Sequence, residues 1–170
     1  GLLLLIQVAP YRAARLSVFL HPELDPQGIG YQINQALLGI GSGGLWGKGF
    51  GMSRQKFLYL PEVISDSIFA VIGEELGFFL TVGLIGLFIL FALRGLAAAA
   101  RAPDMLGKLL ASGITFLVMI EVFANIGSMV GILPLTGLPL PLISYGGSAM
   151  VMTLAGMGIL INISRYSKSG

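Results

Sequence analysis

An all-α polytopic membrane protein is the fold class this sequence predicts, and three observations predict it. Hydrophobic residues make up 55% of the 170 residues and charged residues only 11%, with mean hydropathy +0.90. Soluble domains carry about 25% charged residues, so this chain has too little polar surface to cover a water-facing fold. Three apolar stretches are each long enough to cross a hydrocarbon core, which takes about 20 helical residues.

The elements follow in order. Residues 1–9, inside "GLLLLIQVAP", would cover only about 14 Å as helix. They read as the end of a truncated transmembrane helix. Residues 10–66 form a large loop punctuated by Pro10, Pro22, Pro26 and Pro61. Within it "GYQINQALLGIG" has the spacing of a short amphipathic helix lying on the membrane. The first span is predicted over 67–93, where "LGFFLTVGLIGLFILFAL" carries no charge. A connection over 94–108 leads to a second span over 109–133, with Glu121 near its middle. A short connection, 134–141, leads to an uncharged third span over 142–163 and a tail over 164–170. Gly127 and Gly131, at GxxxG spacing, predict close helix packing.

Arg94, Arg101 and Lys108 flank or occupy the 94–108 connection, and Arg165 and Lys168 occupy the tail. The positive-inside rule makes both cytoplasmic. Residues 10–66 and 134–141 then lie outside.

Several function classes drop out. A net charge of +2 gives no ground for a nucleic-acid partner, and the absence of cysteine excludes thiolate metal sites and disulfides. His21 has no second His or Cys near it. The run "GIGSGGLWGKGFG" holds seven glycines from Gly39 to Gly51. Gly39, Gly41 and Gly44 fit G-x-G-x-x-G, but without the strand–turn–helix setting. Gly47-Lys48 lacks the Ser or Thr that ends a P-loop. The run reads instead as a tight loop whose backbone approaches a ligand or a neighbouring helix. Trp46 and Tyr59 read as interface anchors.

The candidate site residues are charged groups at the mouth of the first span. Arg54 and Lys56 are either a headgroup-facing patch or a clamp for a phosphate-bearing group. Glu62, Asp66, Glu74 and Glu75 follow. Intramembrane acids are costly and face a bundle interior or a water-filled cavity. Glu74 and Glu75 are adjacent, so they point about 100° apart on a helix. Either acid could pair with a basic residue outside this chain. Glu121 and Asn125 share one helix face and suggest a polar seam. Asp66 stands where the helix starts, and residue chemistry alone leaves it open between an N-cap and a catalytic base.

"NIGSMVGILPLTGLPLPLISYGGSA", Asn125 to Ala149, resembles the signature of the SEDS family (shape, elongation, division and sporulation). Its anchors here are Asn125, Gly131, Pro134, Gly137, Ser144, Gly146 and Gly147. "GMSRQK…YLPE" is similar to the FtsW/SpoVE branch of that family. The resemblance covers essentially the whole chain and implies the C-terminal part of a ten-helix bundle with a large extracytoplasmic loop. It implies an inverting peptidoglycan glycosyltransferase that polymerises lipid II, with Asp66 in the position of the family's essential aspartate. This chain reads "ISDSIF" where the family usually has "hTDfIF", so Ser65 keeps a small hydroxyl, Ser67 replaces an aromatic, and Glu121 stands where Gln is commoner. Arg54, Lys56, Glu62, Glu74, Glu75, Asn125 and Ser144 are the implied substrate-side residues. No cofactor is implied with certainty; a divalent cation, Mg or Mn, could neutralise the pyrophosphate. The implied partners are lipid II, membrane lipids, a class B penicillin-binding transpeptidase and other division proteins. The implied location is the bacterial cytoplasmic membrane at the division septum. Two rival roles are a lipid II flippase and a non-catalytic division scaffold.

Overall fold

The computed structural model describes residues 15, 17–21, 25, 28–52 and 67–166. Four helices organise them: α1 (Ile29–Ser42), α2 (Ile68–Arg101), α3 (Met105–Met129) and α4 (Gly147–Tyr166). No strand occurs among the described residues. Helices α2, α3 and α4 are each long and apolar enough to cross a membrane.

Helix α1 does not simply lie on a lipid surface. Its apolar stripe of Ile33 and Ala36, with Ile40 beside them, packs into the main core with Phe69 and Ala70 of α2 and Val122 and Met129 of α3. The same spacing serves either destination, because a helix stripe records only that one face avoids water.

Helix α2 is two pieces. Gly77 has φ 75° and ψ −176°, which separates a short segment, 68–76, from a long one, 78–101. The long piece, at 1.5 Å per residue, is about 36 Å and spans a bilayer unaided. Glu74 and Glu75 therefore belong to the short mouth segment and not, as their spacing suggested, to a span begun at residue 67.

Most of the 94–108 connection is also helical. "GLAAAAR" keeps α2 going to Arg101 because alanine is the strongest helix former. Asp104 then starts α3, its carboxylate accepting the Gly107 amide at 3.2 Å. Only residues 102–104 join the two antiparallel helices.

Helix α3 stops at Met129, short of the expected 133. The amide of Ile132 donates to the Gly127 carbonyl (2.8 Å) and that of Gly131 to Ser128 (3.4 Å). With Gly131 at φ 74° this is a Schellman ending. The two glycines thus terminate a helix, and the Leu133 side chain folds over Gly127, where a partner helix was expected.

Residues 134–146 are folded back into the protein. Leu135 and Leu140 are buried in the core, and Leu142 takes a positive φ of 65°. That is why α4 begins at Gly147 and not at 142. Leu160 is the one buried residue of α4. Large apolar side chains cover the outer faces, among them Phe79, Leu90, Phe116, Phe123 and Met152. Faces this apolar suit lipid or further membrane helices.

Candidate functional site

The break at Gly77 is where the sequence's two oddities, the glycine run and the paired acids, meet. A helix interrupted at one residue strands backbone groups on both sides, and buried backbone groups need partners. The loop after α1 supplies them. The amides of Lys48 and Gly49 donate to the carbonyls of Glu74 (3.0 Å) and Glu75 (3.1 Å). On the far side the amides of Phe78 and Phe79 donate to the carbonyls of Gly44 (2.9 Å) and Leu45 (3.4 Å). Four loop hydrogen bonds thus bridge the gap.

Such an approach needs bare backbone. A Cβ on Gly47 would stand 2.2 Å from the Glu75 carbonyl oxygen, and one on Gly77 2.2 Å from the Gly47 nitrogen. The expectation that the glycine run lets backbone approach a neighbouring helix is met here. Thr81 closes the other side, its buried hydroxyl donating to the Gly77 carbonyl (2.8 Å). Trp46 lays its ring against Phe79, centroids 5.3 Å apart. A cavity of about 370 Å³ opens beside the break, lined by Ile40, Leu45, Gly77, Phe78 and Thr81 among others.

Side chains reinforce the junction. The Lys48 ammonium sits 2.7 Å from Glu74 Oε1 and 2.8 Å from Ser42 Oγ. Ser42 in turn donates to the Gly39 carbonyl at 2.9 Å. Lys48 is 35% exposed and Glu74 only 1%, so the cation reaches in from the surface to a buried carboxylate. Glu74 thus has a basic partner within this chain. Glu75 is 6% exposed, and its Oε1 has no hydrogen-bond partner among the described residues. Only the first of the two acids meets Lys48, as their angular separation predicts.

The short segment leads from this junction to the residue of most interest. Its N-cap position is Ser67, buried, with no side-chain capping bond. Asp66 immediately precedes it in sequence. Asp66 itself, with Arg54, Lys56, Glu62 and Tyr59, lies outside the described residues, as do 1–14 and 167–170.

Asn125 and Ser144 hold the folded-back segment. Asn125 donates its amide to the Leu138 carbonyl (2.6 Å), and Ser144 Oγ accepts the Leu140 amide (2.7 Å). Glu121 lines a cleft with Pro139, Leu140 and Ser144. The suggested polar seam therefore faces the 138–144 backbone as much as a neighbouring helix. Sequence reasoning missed Arg15, a helical residue ahead of α1 whose guanidinium donates to the Leu135 carbonyl at 2.9 Å and so ties the chain before α1 to the 134–141 connection. Among the described residues no three His, Asp or Glu side chains converge as a metal site would require.

Comparison with known proteins agrees on one family. Residues 1–169 match the cell cycle protein family FtsW/RodA/SpoVE. The chain is 46% identical over 168 residues to stage V sporulation protein E of Bacillus subtilis, covering 99% of this chain and 46% of that one. It is 45% identical over 160 residues to the probable peptidoglycan glycosyltransferase FtsW of Trichlorobacter lovleyi, covering 94% and 42%. To the peptidoglycan glycosyltransferase MrdB of Escherichia coli it is 47% identical over 159 residues, covering 93% and 43%. These near-equal identities do not separate the branches, and the chain spans less than half the length of each relative. Two solved structures share the fold. One, from a study of how a peptidoglycan synthase complex coordinates polymerization and crosslinking, has TM-score 0.74 at 32% identity, covering 96% of this chain and 46% of its own. The other is a mutant form of the rod shape determining protein RodA of Thermus thermophilus. Its TM-score is 0.60 at 38% identity, covering 79% and 41%.

Proposed function

The chain belongs to the FtsW/RodA/SpoVE family of cell cycle proteins, and from that premise we propose that it is part of a membrane-embedded peptidoglycan glycosyltransferase. The observation that supports this reading best is the family match over residues 1–169, together with relatives at 45–47% identity that are named peptidoglycan glycosyltransferases.

In the proposed reaction lipid II, a disaccharide-pentapeptide on undecaprenyl pyrophosphate, is polymerised at the outer membrane face. The acceptor sugar hydroxyl oxygen bonds to the donor's anomeric carbon while the bond from that carbon to the pyrophosphate oxygen breaks. The hydroxyl proton goes to the Asp66 carboxylate and the electron pair leaves on undecaprenyl pyrophosphate. An α-linked donor and a β-linked product require inversion, which a single displacement achieves. Arg54 and Lys56 are proposed to hold the leaving pyrophosphate, because charge-assisted bonds suit a dianion. A transpeptidase of the class B penicillin-binding type is the proposed partner, and the division septum the proposed place of action.

The test is lipid II polymerisation by the purified full-length protein, with and without Asp66→Asn. Glycan strands made at near-normal rate by Asp66→Asn would overturn the reading.

A further inference from the structure

We propose that the loop after α1, residues 43–52, is seated in the bilayer leaflet at the mouth of α2, with Trp46 among its deepest side chains. The partner is a lipid surface, its headgroups and upper acyl chains, met by apolar contact and not by charge. The inference is independent of the enzymatic reading.

Depth comes from the way the loop is pinned to α2. The carbonyls of Gly44 and Leu45 accept the amides of Phe78 and Phe79, and the Trp46 ring lies against Phe79. This part of the loop therefore stands level with the start of the long piece of α2. The charges at the other end of that piece bound where its start can lie. With Arg94 at the opposite edge of a hydrocarbon core of about 30 Å, residues 78–93 cover only about 24 Å. Phe78 then lies about 6 Å inside the hydrocarbon. With Arg101 at that edge instead, residues 78–101 cover about 36 Å, and Phe78 stands about 6 Å above the core, still within the headgroup layer. Either limit puts Trp46 in the interfacial layer or beneath it.

The surface of the loop fits that depth. Trp46 is 82% exposed and Phe50 90%, with Leu45 and Met52 exposed beside them. The one charge in "GGLWGKGFGM" is Lys48, and its ammonium turns back onto Glu74 and Ser42. A loop in water would carry polar side chains, whereas a contiguous apolar patch marks a contact. The patch runs on into Phe78, Phe79 and Leu80, exposed on a helix long and apolar enough to cross the membrane. What covers that face of α2 thus covers the loop as well. Tryptophan suits the layer, because its ring is apolar while its N–H stays hydrated. Lys48 and Gly49 pair with the carbonyls of Glu74 and Glu75, nearer the mouth. The chain thus runs outward from Trp46, and Phe50 stands at headgroup level within reach of water.

The experiment places the purified full-length protein in nanodiscs of phosphatidylcholine, with any cysteine elsewhere in the chain replaced by serine. Trp46→Cys, Leu45→Cys or Phe50→Cys, one at a time, carries a polarity-sensitive fluorophore. Nitroxides on the lipid acyl chains quench it from the membrane side, and iodide quenches it from the water side. The expected result at Trp46→Cys is a blue-shifted emission, a large loss of fluorescence to the acyl nitroxides and little loss to iodide. Phe50→Cys should lose fluorescence to iodide. Leu45→Cys leaves the Trp46 ring in place and repeats the deep measurement if thermal unfolding shows that Trp46→Cys has not folded. Two results would overturn the proposal. Iodide quenching at Trp46→Cys and Leu45→Cys as strong as at Phe50→Cys would make the loop water-facing. Quenching of those two sites by neither agent would show the patch covered by protein instead of lipid.

Discussion

Asn125, buried near the end of α3, donates its side-chain amide to the main-chain carbonyl of Leu138 at 2.6 Å. The bond joins a helix to a segment without regular structure, and the Leu138 carbonyl has no ladder to fall back on. The bond is part-buried, so losing it should cost about 0.5–1.5 kcal/mol, the usual net worth of one hydrogen bond. Asn125→Leu should therefore lower the melting temperature of the purified protein while the folded fraction keeps its catalytic rate. A normal melting temperature with lost activity would return Asn125 to the substrate-side role its motif implied.

The break in α2 gives a sharper stability contrast. At φ 75° and ψ −176° Gly77 occupies a region that side-chain-bearing residues reach only under strain of about 1–3 kcal/mol. A Cβ there would also strike the Gly47 nitrogen. Gly77→Ala should destabilise the protein by more than that strain alone. Gly83→Ala is the control: a Cβ there meets nothing within 4 Å, and alanine improves a helix by up to about 1 kcal/mol. Equal melting temperatures for the two variants would show that the helix is unbroken.

Ser67 and Asp66 differ in what each substitution should remove. A working Ser cap is worth about 1 kcal/mol, and Ser67 makes no capping bond, so Ser67→Ala should cost less than that. Asp66→Asn should fold and accumulate normally but lose about 10²–10⁴ in polymerisation rate, the usual worth of a general base. Asp66→Glu keeps a base yet shifts it by roughly a bond length, enough for a loss of about 10²-fold. Growth of a strain depending on each variant gives the same ranking without purification.

Topology is open to direct labelling. Phe50 and Pro103 are both exposed and lie in the loop after α1 and in the α2–α3 turn. Cysteines placed singly at Phe50 and Pro103 should react with an impermeant thiol reagent from opposite membrane faces, Phe50 from outside. These 170 residues hold no cysteine to confuse the assay. Labelling from one face alone would reverse the assignment made from Lys and Arg.

The three spans were legible because hydrocarbon thickness dictates a long uncharged run, and that signal survives almost any tertiary arrangement. Their ends were not. The alanines before Arg101 extend a helix through what charge alone marked as a connection, and Gly131 ends α3 four residues early. Gly127 and Gly131 show why spacing misleads: small residues four apart serve a helix interface or a helix ending equally well. At the candidate site the acids stood out in the sequence, whereas the cation that meets Glu74 is 26 residues away, inside a glycine run. Nothing in local pattern pairs Lys48 with Glu74, because the pairing is created by the break. A signal did exist: glycines crowded just upstream of a helix with an isolated Gly among charged neighbours.

The bridged break also changes what controls solvent access to two amides. In an unbroken helix Phe78 and Phe79 would be protected from deuterium exchange by carbonyls of their own helix. Here their acceptors are Gly44 and Leu45, so each amide opens only when the loop lifts. The exchange clock of two residues in one helix is therefore set by the detachment of a different part of the chain.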